Sequence, residues 1–250
     1  MVDKSSDADI RGTLGTVRNA MLLLDLMSEG PAYRQLSELA ELSGLSLPTV
    51  HRLLRSLVLA QLIEQQERTS RYGLGPELAR LSQRYLARLP IIGALSPYLV
   101  PLRNEINATI HVGILVRGSV VYVDRVDSTT TGVFRGSHRT EPALATAAGR
   151  VLASRSSDED WARAVSRSDS PTRPLPPEAR KEWSESPFLV VDGTVSANPE
   201  IAVPVFDGSG TVCAALAASL TAPADQATIT LFSKHLTETA SAAGRTLGHG

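Results

Sequence analysis

The chain has a single cysteine, Cys213, among 250 residues. That excludes an intramolecular disulfide and any cysteine-rich metal site. Cys213 lies in the apolar run TVCAALAAS, which reads as a buried structural thiol rather than a nucleophile. Aromatic residues are scarce at 4%, so the core must rest on Leu, Val, Ile and Ala. No stretch approaches the roughly 20 consecutive apolar residues of a membrane span, and no membrane partner is expected. The polar start MVDKSSDADIRGT carries no hydrophobic segment behind a basic one, so a secretory signal is not expected and the cytoplasm is. His51, His111, His138, His235 and His249 never pair at metal-ligand spacing. Gly-x-Ser-x-Gly, Walker A and His-Glu-x-x-His motifs are all missing, and the GLG of residues 73–75 lacks a third glycine. Neither an enzyme nor a metal or cofactor site is expected. A net charge of −1 gives no global positive field, but a small nucleic-acid module can be basic on one face alone.

What is present is a globular composition, 42% hydrophobic and 20% charged, long enough for one large domain or two ordinary ones. Residues 1–11 read as a disordered tail. From about Thr13 to Glu29, Val17, Met21, Leu24 and Met27 fall on one helical face, and Gly30-Pro31 stops the helix. QLSELAELSG predicts a short helix with Ser37 as N-cap and Gly44 closing it.

GLSLPTVHRLLRSL, residues 44–57, then runs from a turn straight into an apolar stripe. Ser46 is placed to cap, and Pro48 falls in the first turn, where a missing N–H is harmless. Val50, Leu53, Leu54, Leu57 and Val58 form the stripe, while Thr49, His51, Arg52 and Arg55 lie off it. Two helices around a tight Gly turn, the second with an exposed cationic face, make a helix-turn-helix. Two short extended runs follow, 61–66 and 70–74, as a hairpin wing carrying Arg68 and Arg71. Residues 44–75 set four arginines against Glu64 and Glu67, so the module is locally basic.

PELARLSQRYLARLP predicts a linker helix over 76–90, ended by Pro90, and residues 92–107 continue helically with interruptions at Pro97 and Pro101. The period then changes to two. TIHVGILVRG and SVVYVDRVDS alternate as a hairpin around Gly118, EPALATAAGRVLAS reads as a small-residue helix, and short helices are expected near Trp161 and Trp183. FLVVDG, EIAVPVFDGSG and TVCAALAAS supply three more strands, and 224–247 a last helix. The class is α+β: residues 12–75 a winged helix-turn-helix, 76–90 a linker helix, 91–250 an antiparallel-sheet domain.

The run LSELAELSGLSLPTVHRLLRSLVLAQLIEQQERTSRYGLGPELARLSQ resembles the winged helix-turn-helix of the IclR family of bacterial transcriptional regulators. The likeness continues through VVYVDRVDS, EPALATAAGRVLA and AVPVFDGSGTVCAALAAS. It implies a DNA-binding repressor or activator that forms dimers and often tetramers, with a six-stranded PAS- or GAF-like C-terminal domain that binds a small-molecule effector. Two departures stand out. Leu47-Pro48 replaces a Lys-Ser pair common in the family, which removes a phosphate-binding cation and a hydroxyl. Ala197-Asn198-Pro199-Glu200 replaces a Gly-x-Arg-Cys run, so Glu200 stands at the family's pocket cysteine. The remaining pocket positions fall on Ala147, Ala148, Ala217 and Ser219, with Asp192 a poorer match because the loop after it is shorter. The alanines can equally be packing, Ser219 a satisfied strand hydroxyl, and Glu200 a surface charge at a strand start.

The sequence thus predicts a regulator, a repressor in the first instance, that binds a pseudo-palindromic double-stranded DNA operator and responds to a metabolite. Thr49, His51 and Arg52 are expected in the major groove, with Arg52 bidentate to guanine. Arg18, Ser46, Arg55 and Arg71 are expected at or near the phosphates. If Glu200 faces the pocket, a ligand carboxylate about 4 Å away would meet repulsion of about 4 kcal/mol at an effective dielectric near 20. Protonation of Glu200, pairing with Arg150, or a neutral or amine-bearing ligand would each relieve it. The competing reading is a metabolite-binding or catalytic α+β domain whose N-terminal module binds a protein partner.

Overall fold

A computed structural model of the chain describes the backbone of residues 4–129, 140–168, 175–192, 199–221 and 224–248, with side chains from residue 15 onward. The chain divides into two units, Met1–Arg88 and Leu89–Gly250. The division falls inside the stretch read as a linker.

In the first unit, α1 (Lys4–Ser28) precedes α2 (Leu36–Ser43) and α3 (Leu47–Leu59). A two-stranded antiparallel hairpin, β1 (Ile63–Gln65) and β2 (Tyr72–Leu74), is followed by α4 (Pro76–Leu86). α1 is helical from Lys4, where the sequence reading expected a tail over residues 1–11. The buried face of α1 also differs from expectation. Among the described side chains of α1, Leu23 and Met27 are buried against α2, α3 and β2, whereas Val17 and Met21 are 62% and 43% exposed. Gln35, not Ser37, is the N-cap residue of α2, and Gly44 closes it in the left-handed conformation at φ 67°. The core of this unit is Leu23, Met27, Leu39, Val50, Leu53, Leu54, Leu57, Ile63 and Tyr72.

Arg34 ties three elements together. Its Nε and Nη2 donate to the Leu26 and Glu29 carbonyls at 3.0 and 2.7 Å, capping the C-terminal end of α1, and its Nη1 pairs with Glu38 on α2. Its backbone bridges Tyr72 through two bonds of 2.9 and 2.8 Å, which adds a third strand position to the wing.

The second unit opens with α5 (Pro90–Ile106). Pro90 therefore begins this helix and does not cap the one before it. Pro97 and Pro101 do not interrupt α5 either: both sit on the exposed face, one turn apart, where the carbonyls they leave unpaired meet water. The opposite face buries Ile91, Ala94, Leu95, Leu99, Leu102 and Ile106.

β3 (Ile110–Val116), β4 (Ser119–Val126), β5 (Thr140–Pro142), β6 (Leu189–Val191), β7 (Glu200–Phe206) and β8 (Val212–Ser219) form one antiparallel sheet in the order β5-β4-β3-β8-β7-β6. α6 (Ala147–Ser154) packs across one face, with α7 (Asp158–Ser166) and α8 (Ala179–Glu185) beyond it. α5 and α9 (Gln226–Leu247) pack against each other and against the sheet. The EPALATAAGRVLAS segment is not one helix. Residues 140–142 pair as an edge strand, Ala143–Ala145 form a 3-10 turn, and Thr146 then caps α6 by accepting the Gly149 N–H at 3.0 Å.

Gly149 has no room for a side chain: a Cβ there would lie 2.0 Å from the Ala143 carbonyl oxygen, while one at Gly93 on exposed α5 would meet nothing within 4 Å. Gly149→Ala should therefore destabilise the chain by at least about 2 kcal/mol through backbone displacement. Gly93→Ala should stabilise it by about 0.5–1 kcal/mol. Urea unfolding of both variants checks the contrast, and equal effects would contradict this packing of α6.

Candidate nucleic-acid interface and effector site

α3 is held on one side only. Val50, Leu53, Leu54 and Leu57 are 0–6% exposed, while His51, Arg52, Arg55 and Ser56 stand in water and Thr49 is half-buried. The helix contains no acidic residue. Ser46 is the N-cap residue, but its side chain caps no backbone group; its Oγ lies 2.8 Å from Thr49 Oγ1. Pro48, the second residue of the helix, has no N–H to offer, and the two hydroxyls pair at the exposed end of the helix.

The wing places Arg68 and Arg71 on the exposed turn between β1 and β2. Gln66 and Ser70 close that turn: the Gln66 N–H donates to the Arg71 carbonyl, and the Ser70 N–H to the Gln66 carbonyl, both at 2.8 Å. Glu64, one of the two acids nearby, accepts a 2.5 Å hydrogen bond from the Tyr33 hydroxyl, which raises the Tyr33 pKa above its ordinary value.

Six arginines of this unit fall into two groups. Arg34 and Arg80 pair with Glu38 and Glu77. Arg52, Arg55, Arg68 and Arg71 have no acidic partner among the described residues. Arg18 is exposed on α1. Unpaired, exposed guanidiniums on one helix face and one hairpin turn are suited to a phosphate backbone and to guanine edges.

The predicted effector residues lie in the second unit, and most of them converge. Glu200 and Ser219 are paired across β7 and β8, and Ala217 faces Ala202 on one side and His111 on the other. Ala147 and Ala148, at the start of α6, are fully buried above this part of the sheet with Tyr122, Ala202 and Ala217. Glu200 is half-buried: Oε1 accepts from the Tyr122 hydroxyl at 2.7 Å and Oε2 from the Ala148 N–H at 3.1 Å. His111 Nε2 lies 3.4 Å from Ser219 Oγ, and the His111 and Tyr122 rings are 5.1 Å apart. Glu200 is therefore not a free surface charge. Asp192 is exposed just past the end of β6, next to Val191, which pairs with Glu200. Ala197 and Asn198, in the loop before β7, lie outside the described residues.

Two side chains of this cluster escaped the sequence reading, His111 and Tyr122. The signal was the two-residue period, which puts both on the apolar face of their strands, where a polar group demands a partner. The proposed Arg150–Glu200 pair does not form. Arg150 instead donates to the Leu144 carbonyl at 2.9 Å and lies 4.9 Å over the Trp183 ring, and its burial lowers its pKa. Cys213 is half-buried, its thiol 3.5 Å from the Val205 carbonyl oxygen, and burial pushes its pKa up. A groove of about 1010 Å³ opens at the hairpin end of β7 and β8, lined by Arg155, Phe206, Val212, Ala240 and Arg245 among others. It contains none of the predicted effector residues, which gather at the opposite end of α6. Among the described residues no group of three or more His, Cys, Asp or Glu could hold a metal ion, and no single helix is long and apolar enough to cross a membrane.

Comparison with known proteins gives matches to both units. The family model described as IclR helix-turn-helix domain matches residues 16–67, and that described as Bacterial transcriptional regulator IclR C-terminal matches residues 83–173. The HTH-type transcriptional regulator XynR of Escherichia coli K12 is 29% identical over 138 residues, 55% of each chain, so the match spans about half the length of that relative. The DNA-binding transcriptional repressor YiaJ of the same organism is 27% identical over 247 residues, 91% of this chain and 86% of its own. An IclR homologue from Microbacterium hydrocarbonoxydans, solved in complex with 4-hydroxybenzoate, shares the fold with a TM-score of 0.67 at 19% identity, covering 94% of this chain and 100% of its own.

Tyr122 is 4% exposed and donates to a carboxylate, a bond class worth about 1.5–3 kcal/mol. Tyr122→Phe should lower the unfolding free energy by about that amount in urea titrations. A loss under about 0.5 kcal/mol would mean that this contact does not hold Glu200 in place.

Proposed function

The chain belongs to the IclR family of bacterial transcriptional regulators, which are not enzymes, and on that premise we propose that it is a metabolite-responsive repressor of transcription. One observation carries the DNA-binding half: α3 buries Val50, Leu53, Leu54 and Leu57 and leaves His51, Arg52 and Arg55 in water, with Thr49 half-buried and no acidic residue on the helix. Arg52 reads a guanine through paired hydrogen bonds, and Thr49 and His51 reach neighbouring base edges. Arg18, Ser46, Arg55 and Arg71 contact phosphates and set the register.

The chain acts as a dimer or tetramer in the cytoplasm, on a pseudo-palindromic operator whose half-sites mirror the protein two-fold. Support for self-association comes from α4, none of whose residues is buried within the chain although Leu81 and Tyr85 are 45% and 53% exposed apolar groups. The name of the repressor YiaJ, similar over most of its length, supports repression as the sign. The effector site is the cluster of Ala147, Ala148, Glu200, Ala217 and Ser219, joined by His111 and Tyr122. The 4-hydroxybenzoate complex of the Microbacterium homologue supports a small organic molecule as the class of effector. Asp192 flanks the site from the loop after β6. α4 passes occupancy on by changing the spacing of the two reading helices.

Arg52→Ala should lower affinity for a selected operator by about 1–3 kcal/mol and relax one base position in each half-site. Arg71→Ala should weaken operator and random duplex alike and reduce the salt slope by about one counterion. Fluorescence anisotropy titrations at several salt concentrations separate the two effects. If both variants bind the operator as the parent does, the reading helix and wing are wrongly assigned.

A further inference from the structure

The first amides of a helix have no acceptor within it, and the aligned peptide dipoles make that end partly positive. In α6 each described amide acceptor comes from a specific place. Thr146 takes the Gly149 N–H on Oγ1 and the Arg150 N–H on its carbonyl, both at 3.0 Å. The Ala148 N–H is taken by Glu200 Oε2, from a strand 52 residues further along the chain. The second oxygen of the same carboxylate holds the Tyr122 hydroxyl at 2.7 Å. Both donors are on buried residues, with Ala148 at 0% and Tyr122 at 4% exposure. A free carboxylate entering this cluster would need the same two donors: a helix amide and a phenol. Ala147, Ala202 and Ala217, all fully buried, surround them with short side chains that offer no other charge.

We infer that Glu200 is a tethered carboxylate that fills the anion position of its own effector site, so that the site rejects carboxylates. This rests on the effector-site reading above and names a ligand class that the site excludes. A second carboxylate would find the amide and the phenol already engaged and would meet a like charge. Glu200 is thereby the residue that sets effector class. One substitution converts the preference.

The test uses the full chain and compares sodium acetate and sodium propionate with sodium chloride at equal ionic strength. In Glu200→Ala the missing carboxylate can be supplied from solution. The unfolding midpoint of that variant should rise by about 3–6 °C at a tenfold excess of acetate over its dissociation constant. The parent should melt identically in all three salts, and Glu200→Gln, which still fills the position, should behave as the parent does. Equal midpoints for Glu200→Ala in acetate and chloride would overturn the proposal. If that variant does not fold, the parent decides alone, since stabilisation of the parent by acetate or propionate would show an open anion position. DNA binding is read in neither arm, so a parent that fails to bind operator DNA would undo the regulator reading without touching this result.

Discussion

Burial of the α3 stripe is the constraint on which the N-terminal unit depends. Val50, Leu53, Leu54 and Leu57 pack against Leu23, Leu39, Ile63 and Tyr72, contributed by α1, α2, β1 and β2. Each such side chain contributes about 1.5–3 kcal/mol on burial, so rotating α3 by one residue, about 100°, would forfeit most of the unit's core. That fixes which face stays in water. The face so fixed carries His51, Arg52 and Arg55 with no acid on the helix. Recognition chemistry is thus a by-product of core packing, and the Gly44 turn and the Arg34 ties hold the scaffold that presents it.

The C-terminal unit solves a different problem. Its sheet is covered by α6 on one face and braced by α5 and α9, and the α6 face is built from unusually small residues. Ala147, Ala148, Ala202, Ala215 and Ala217 let helix and sheet approach closely. Close approach brings the α6 N-terminus within hydrogen-bond reach of β7, and a carboxylate at Glu200 then satisfies an amide that would otherwise be buried without a partner. Edge strands are short at both ends of the sheet, three residues each in β5 and β6, and β5 ends in Pro142, which limits pairing with other chains.

Much of this was legible in the sequence because periodicity reports burial directly. The α3 stripe, the wing, the β3–β4 hairpin and the three later strands follow from it, and the resemblance through TVHRLL carried the family. The misreadings share a cause: local pattern cannot say which face has a neighbour. Val17 and Met21 continue the α1 stripe, but the residues that α2 and α3 cover begin further along the helix. Pro97 and Pro101 look like breaks until their common exposed face is seen. β5 was absorbed into a helix because three residues carry no period, and only the pairing of Thr140 with Val121 identifies it. Glu200 was flagged as a departure from a family pattern, yet its partners were out of reach, since Tyr122 and Ala148 lie 78 and 52 residues away in sequence. Arg150 was offered as its counter-charge by proximity in the chain, and Trp183 holds it instead.

The central claim is that the exposed face of α3 reads a DNA sequence. Selection of bound duplexes from a random library by the full chain, followed by competition against unselected duplex at physiological salt, tests it most directly. The account predicts convergence on two related half-sites about one helical turn apart, bound at least about a thousandfold more tightly than random sequence. Equal affinity for selected and unselected duplex, or no convergence at all, would contradict it.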